Sequence, residues 1–219
     1  MVDVSHNVNL GPDFPISSAV PATSTDDGAA DDIALVSLSV LGELRARELR
    51  ALIRDIPGFP HEPIIFRDIT PLLADGAAFE DVIEAFAKLI ETLGLKVDIV
   101  AGMEARGFIL GAPLATRLNV GFVPLRKAGK LPPPVKRVEY ELEYGTAAME
   151  LTDGSIKPGA NVLLVDDVLA TGGTALAAAN LVETSGGKVA ALVFLMELNG
   201  LGGAAKLANY DVETLLRVG

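Results

Sequence analysis

Thirteen consecutive residues carry the densest chemistry in this chain: Val162-Leu163-Leu164-Val165-Asp166-Asp167-Val168-Leu169-Ala170-Thr171-Gly172-Gly173-Thr174. The apolar opening reads as a buried strand, and the glycine- and threonine-rich end reads as a turn into a helix. Glycines let backbone N–H groups come close to an anion, threonine hydroxyls add donors, and the helix start presents the positive end of its dipole. Ala170, Thr171, Gly172, Gly173 and Thr174 are therefore expected to form a phosphate cup, at the strand end where open α/β sheets bind ligands. Asp166 and Asp167 beside a phosphate need donors or a cation. The vicinal hydroxyls of a ribose supply the donors, and a Mg²⁺ ion can share either carboxylate. The spacing Gly-x-x-x-x-Gly-Lys is absent and no Gly-x-Gly-x-x-Gly follows a strand, which weakens nucleoside triphosphate and dinucleotide readings.

Cations cluster after two other apolar runs. Arg106 follows residues 97–101, and its planar guanidinium suits bidentate contact with phosphate oxygens. Arg126, Lys127 and Lys130 follow residues 120–125 and form a local basic patch in an otherwise acidic chain. Nucleophiles and soft metal ligands are scarce, with no Cys and only two His, His6 and His61. Thiolate chemistry, disulfides and Cys-ligated zinc are thereby excluded, and a His triad or multi-His metal site has almost no material. The formal charge of −11 opposes blanket binding to nucleic acid, so no nucleic-acid partner is expected.

The string from Val162 to Thr174 resembles the phosphoribosyl pyrophosphate signature of type I phosphoribosyltransferases. Further motifs bring it closer to the members of that family that use adenine: Pro57-Gly58-Phe59-Pro60, Phe66-Arg67-Asp68-Ile69-Thr70-Pro71-Leu72-Leu73, Glu104-Ala105-Arg106-Gly107-Phe108, Arg126-Lys127 with Gly129-Lys130-Leu131-Pro132, and Glu143-Tyr144-Gly145. The resemblance covers residues 41–219. It implies an α/β fold with a parallel sheet flanked by helices, a small hood built from residues 57–70 and the C-terminal part, and a flexible lid loop. It implies Mg²⁺-dependent transfer of the phosphoribosyl group from phosphoribosyl pyrophosphate to adenine, giving AMP and pyrophosphate in purine salvage.

By the same resemblance, Asp166, Asp167 and residues 170–174 hold the phosphoribosyl group, while Glu104, Ala105, Arg106, Arg126, Lys127 and Lys130 surround the pyrophosphate. A cis peptide is implied at Glu104-Ala105. Ile65, Phe66, Arg67 and Leu198 match the adenine-holding positions, with Phe66 and Leu198 on the two faces of the ring. Glu143 and Arg106 take the catalytic roles, Glu143 as the acid/base on the lid. Mg²⁺ is held mainly through substrate, with Asp166 or Asp167 as its protein contact. A homodimer is implied whose partner lends basic residues to the site. Two alternatives stay open: a phosphoribosyltransferase for hypoxanthine or xanthine, and a non-catalytic regulator that senses phosphoribosyl pyrophosphate.

The elements that must position these residues are legible in the periodicity. Helices are expected at residues 41–54, at 79–93 where apolar positions step by three and one, at 107–118 and at 173–184. Strands are expected at 97–101, 120–125, 162–165 and 189–196, with residues 63–66 extended. Val- and Leu-rich strands separated by helices indicate a parallel sheet covered on both faces. Residues 126–144, charged and Pro-rich, read as an irregular lid. Residues 1–40 hold six Asp and no Lys, Arg or Glu, and read as a disordered acidic extension ahead of the phosphoribosyltransferase domain at 41–219. No basic segment followed by an apolar one opens the chain, and its longest strongly apolar run, residues 189–196, is far shorter than a membrane span. A cytoplasmic protein without a membrane partner is expected.

Overall fold

A computed structural model describes residues 40–141 and 146–219. The expected extension at residues 1–40 lies, but for Val40, outside the described residues, and so does Glu143. The chain runs α1 (Glu43–Ala51), β1 (Arg54–Pro57), β2 (Ile65–Asp68), α2 (Thr70–Ala74), α3 (Gly76–Thr92), β3 (Ile99–Met103), α4 (Arg106–Leu118) and β4 (Gly121–Lys127). It continues through β5 (Val135–Glu141), β6 (Thr146–Thr152), β7 (Asn161–Leu169), α5 (Gly173–Thr184), β8 (Lys188–Leu198), α6 (Gly203–Lys206) and β9 (Val212–Val218).

Seven strands form one sheet in the order β5-β6-β4-β3-β7-β8-β9, and β1 and β2 form a separate antiparallel hairpin. β4, β3, β7, β8 and β9 are parallel, as the Val- and Leu-rich runs predict. Side chains alternate between the two faces of β7. Leu163 and Val165 join the core under α1, α3 and α4, whereas Val162 and Leu164 join the core under α5. The buried stripe of α3 holds Val82, Ile83, Phe86, Leu89 and Ile90, and Asp75 caps its start by accepting the Ala78 N–H. Asn119, in the left-handed conformation at φ 56°, ends α4.

Several expectations need correction. The sheet is not wholly parallel, because β5 and β6 add an antiparallel pair at its β4 edge. Residues 126–141 are accordingly not an irregular lid, and the rest of that expected segment, 142–144, lies outside the described residues. Val135, Val138 and Tyr140 pair with β6 in a regular ladder, and the short apolar–polar alternation from Val138 is a strand signal that the two charged residues before it and the neighbouring prolines obscure. The first helix stops at Ala51, because Arg54 leaves to pair with Asp68 in the β1–β2 hairpin. The extended segment at 63–66 is shifted to Ile65–Asp68. The C-terminal part does not simply build the hood, since β9 is the outer strand beside β8. The hood hairpin is tied to it where the Arg67 guanidinium donates to the main-chain oxygen of Gly219. Among the described residues, no helix is long and apolar enough to cross a membrane.

Candidate active site

The strand β7 runs four residues past Val165 and carries Asp166 and Asp167 within its own ladder, with Asp166 opposite Phe194 of β8. Pairing within the sheet makes these carboxylates part of a rigid strand rather than a loop. Asp166 Oδ1 accepts the Asp167 N–H at 2.9 Å. Asp167 is 3% exposed, and its Oδ2 lies 2.9 Å from Arg106 Nε. That contact is an ion pair without hydrogen-bond alignment, and Asp167 Oδ2 has no hydrogen-bond donor among the described residues. Burial pushes the Asp166 carboxyl well above the ordinary carboxylate range, and the charge of Asp167 adds to the push. Burial raises Asp167 as well, against the pull of the Arg106 guanidinium. A buried carboxylate beside a half-buried one, with an acceptor oxygen that no donor fills among the described residues, is a site prepared for donors or for a cation.

Arg106 reaches this place because of the glycine behind it. A Cβ on Gly107 would sit 2.5 Å from the Val165 carbonyl oxygen and 3.1 Å from Asp166 Oδ1. Only a bare backbone lets the start of α4 lie against the end of β7. The peptide Glu104-Ala105 just before it is cis, as the resemblance implies. Arg106 also stacks on Phe66, with its guanidinium carbon 5.4 Å from the ring centroid.

The cup comes directly after β7. Gly172 at φ 77° precedes α5, whose first N–H groups have no intrahelical acceptor. Gly203 closes against it from α6, where a Cβ would collide with the Ala170 carbonyl oxygen. Gly203 belongs to the site's framework and is not signalled by any local motif, because its neighbour is 33 residues away in the chain. Arg106, Asp166, Asp167 and residues 170–174 line one cleft of about 240 Å³, together with Met103 and Phe194. A larger groove of about 670 Å³ lies between α1 and α3, lined by Val40, Ala85, Ile90 and Leu118 and by ion-paired charges such as Arg45 with Asp81. It contains none of the expected site residues.

The second cation group is held by Glu104. Its carboxylate accepts the Lys127 N–H at 2.7 Å and lies 3.4 Å from Arg126 Nε. Burial would raise the Glu104 carboxyl, but the Lys127 N–H and Arg126 outweigh it and hold it below its usual value. Arg126 further stacks over Phe108, 5.9 Å from the ring centroid, and Lys127 and Lys130 are exposed. Thus Glu104 engages the cations, while Ala105 is exposed at the turn.

On the hood, Phe66 meets Phe59 edge-on with ring centroids 5.4 Å apart. Phe59, Ile64 and Ile65 leave apolar surface exposed there. Arg67 is buried, and its guanidinium is held by Asp55 and by Gly219. Leu198 ends β8 and packs beside the α3-side core. Asp68, which the sequence does not mark as functional, is hydrogen-bonded by the Thr70 side chain, by Arg54 and by the Thr70 N–H, and these contacts hold its carboxyl at about 2. It fixes the joint between the hairpin and α2. Among the described residues, no group of three or more His, Cys, Asp or Glu is placed to cage a metal ion.

The family model of the phosphoribosyl transferase domain matches residues 68–215. The chain is 52% identical over 170 residues to adenine phosphoribosyltransferase of Thermoanaerobacter pseudethanolicus, covering 78% of this chain and 97% of that protein. It is 56% identical over 162 residues to adenine phosphoribosyltransferase of Kineococcus radiotolerans, covering 74% and 86%. The crystal structure of the Thermoanaerobacter pseudethanolicus enzyme superposes with a TM-score of 0.77 over 79% of this chain and 99% of that one. The Saccharomyces cerevisiae enzyme, crystallised with an imino-altritol bisphosphate and adenine, is 43% identical with a TM-score of 0.76, covering 79% and 99%.

Proposed function

The chain belongs to the adenine phosphoribosyltransferase family of phosphoribosyl transferases, and from that premise we propose that it converts adenine and 5-phosphoribosyl 1-pyrophosphate to AMP and pyrophosphate, in purine salvage. The observation that carries the site assignment is the Asp166-Asp167 pair, half-buried and buried, with an acceptor on Asp167 that lacks a donor among the described residues, set between a phosphate cup and Arg106. In the bond balance, the base nitrogen forms a bond to the anomeric carbon, the bond from that carbon to the pyrophosphate oxygen breaks, and the nitrogen's proton leaves.

Asp166 and Asp167 accept from the ribose hydroxyls, which supply the donor that Asp167 Oδ2 lacks. Residues 170–174 bind the 5-phosphate with backbone N–H groups at the start of α5. Arg106, Arg126, Lys127 and Lys130 balance the charge that builds on the departing pyrophosphate, where fixed cations act without reorganising. Glu104 keeps two of those cations in place through the Lys127 N–H and Arg126. Phe66 and Leu198 take the adenine ring between them, with Ile65 and Arg67 backbone groups at its edge. Glu143, on the lid, receives the proton from the base, and the lid keeps water from the anomeric carbon.

The donor set fits Mg²⁺. Carboxylate oxygens at Asp166 and Asp167, without a full protein cage among the described residues, suit an ion held mostly by substrate oxygens and water. When bound there, it neutralises part of the pyrophosphate charge. A homodimer in the cytoplasm completes the reading. Formation of AMP from adenine by the purified chain, with pyrophosphate released in equal amount, tests it.

A further inference from the structure

Glu150 is a buried carboxylate to which the phosphoribosyl transfer assigns no role. It is 5% exposed on β6, opposite Arg126 of β4 on one side and Arg137 of β5 on the other. Its Oε2 accepts the Gly129 N–H at 2.9 Å, and its Oε1 lies 3.7 Å from Arg137 Nη1. Gly129 stands at φ 78° in the turn between Lys127 and Lys130. Three consecutive amides of that turn are therefore pinned from outside it. The Lys127 N–H goes to Glu104, the Ala128 N–H to the Ala148 carbonyl at 2.9 Å, and the Gly129 N–H to Glu150.

Beyond these amides, the ladder pairing of Lys127 with Met149 reaches the start of the turn. Lys127, Gly129 and Lys130 are exposed, and segments with few buried contacts open at low free energy. The same turn borders a cleft of about 540 Å³ lined by Lys127, Ala128, Arg137, Tyr140 and Thr174, the last of which also belongs to the cup. A free carboxylate beside a diphosphate would repel it. Glu150 is instead buried and bonded to the turn, with Arg126 and Arg137 on either side.

We propose that Glu150 is a positioning residue for pyrophosphate: through the Gly129 N–H it fixes the Lys127–Lys130 turn against the β5–β6 hairpin, so that the leaving group's cations are held at a set place on the sheet edge. This rests on the proposed function, which supplies pyrophosphate as the ligand of that turn. The role depends on the reach of the acceptor oxygen rather than on the charge of Glu150.

The test compares E150Q, which keeps an acceptor at the same reach, with E150D, which keeps the charge but falls short by one methylene. Kd for Mg²⁺-pyrophosphate is measured by calorimetry on the full chain, beside KM for both substrates. E150D is expected to raise Kd for pyrophosphate and KM for phosphoribosyl pyrophosphate by about tenfold with KM for adenine unchanged, since small misplacements of binding groups are costly. E150Q is expected to stay within about twofold of the wild type, because the Gly129 hydrogen bond survives. Equal losses in both variants, unchanged pyrophosphate binding in E150D, or parallel rises in both KM values would overturn the proposal. Should E150D not fold, hydrogen exchange at Gly129 in the wild type decides: a protected amide supports the role, and an unprotected one removes it. A wild-type chain that makes no AMP would count against the proposed function alone, because the pyrophosphate titration reads the positioning independently.

Discussion

Arg106 Nε lies 2.9 Å from Asp167 Oδ2, although the two residues come from different strand ends, Arg106 after β3 and Asp167 within β7. β3 and β7 are parallel neighbours, so their carboxyl ends lie side by side. In the proposed function the pair joins the two halves of the substrate, with Asp167 assigned to the sugar and Arg106 to the pyrophosphate. Arg106 also stacks on Phe66, which extends the link to the base.

Replacing Arg106 separates its two tasks. Arg106→Lys keeps a positive charge but loses the planar fork and much of the stacking on Phe66, and should raise KM for phosphoribosyl pyrophosphate about tenfold or more. Arg106→Ala also leaves Asp167 buried without its cation. Because Arg106 is itself 39% exposed, the stability loss should be about 1–2 kcal/mol, below the cost of breaking a fully buried pair. Steady-state kinetics and urea unfolding read the two effects apart.

The raised Asp166 carboxyl gives a pH dependence of definite sign. A carboxyl whose folded pKa is raised binds more protons folded than unfolded, so its contribution to stability is fully present below the unfolded value and is lost as pH rises through the folded one. At neutral pH this carboxyl therefore destabilises the unliganded fold. Asp166→Asn removes it and should raise Tm at pH 7 while weakening phosphoribosyl pyrophosphate binding. Each ~1 kcal/mol relieved appears as about 2–4 °C in a domain of this size. The Tm difference between variant and wild type should grow from acid to neutral pH. A variant less stable than wild type at pH 7 would contradict the burial argument.

Gly107→Ala probes the close approach that delivers Arg106. The added Cβ meets the Val165 carbonyl oxygen at 2.5 Å, which is backbone and gives little. A loss of about 1–3 kcal/mol is expected from overpacking, together with a fall in kcat/KM as Arg106 moves off Asp167. Thermal unfolding and turnover, measured on the folded fraction, check both.

Phe66→Ala should act on the base. Stacking of a nucleobase on an aromatic ring is worth about 1–3 kcal/mol, so KM for adenine should rise roughly five- to a hundredfold. Phe66→Tyr keeps the ring and should stay near wild type. Equal adenine KM in Phe66→Ala would take Phe66 out of the base site.

The parts of the site that are contiguous in sequence were legible there. The apolar strand start, the carboxylates and the cup occupy thirteen consecutive residues, and the strand-turn-helix order alone places them at the sheet's carboxyl edge. The edge strands were harder to read. β5 comes after three consecutive prolines, Pro132 to Pro134, and β9 mixes Glu213, Thr214 and Arg217 with its apolar residues, so neither carries the apolar run that marks β7. Contacts made by folding were not legible at all. Glu104 reaching the Lys127 N–H, Glu150 reaching Gly129 and Gly203 closing on Ala170 are each separated by 20 residues or more along the chain. Individual residue types there signal nothing until the sheet brings them together.

The most direct measurement incubates the purified chain with 5-phosphoribosyl 1-pyrophosphate, Mg²⁺ and, separately, adenine, hypoxanthine, xanthine or orotate, and tracks nucleotide and pyrophosphate together. The site predicts AMP and pyrophosphate in equal amounts from adenine, with Mg²⁺ required and the other bases far slower. No AMP from adenine with any divalent ion, or faster turnover of another base, would contradict it.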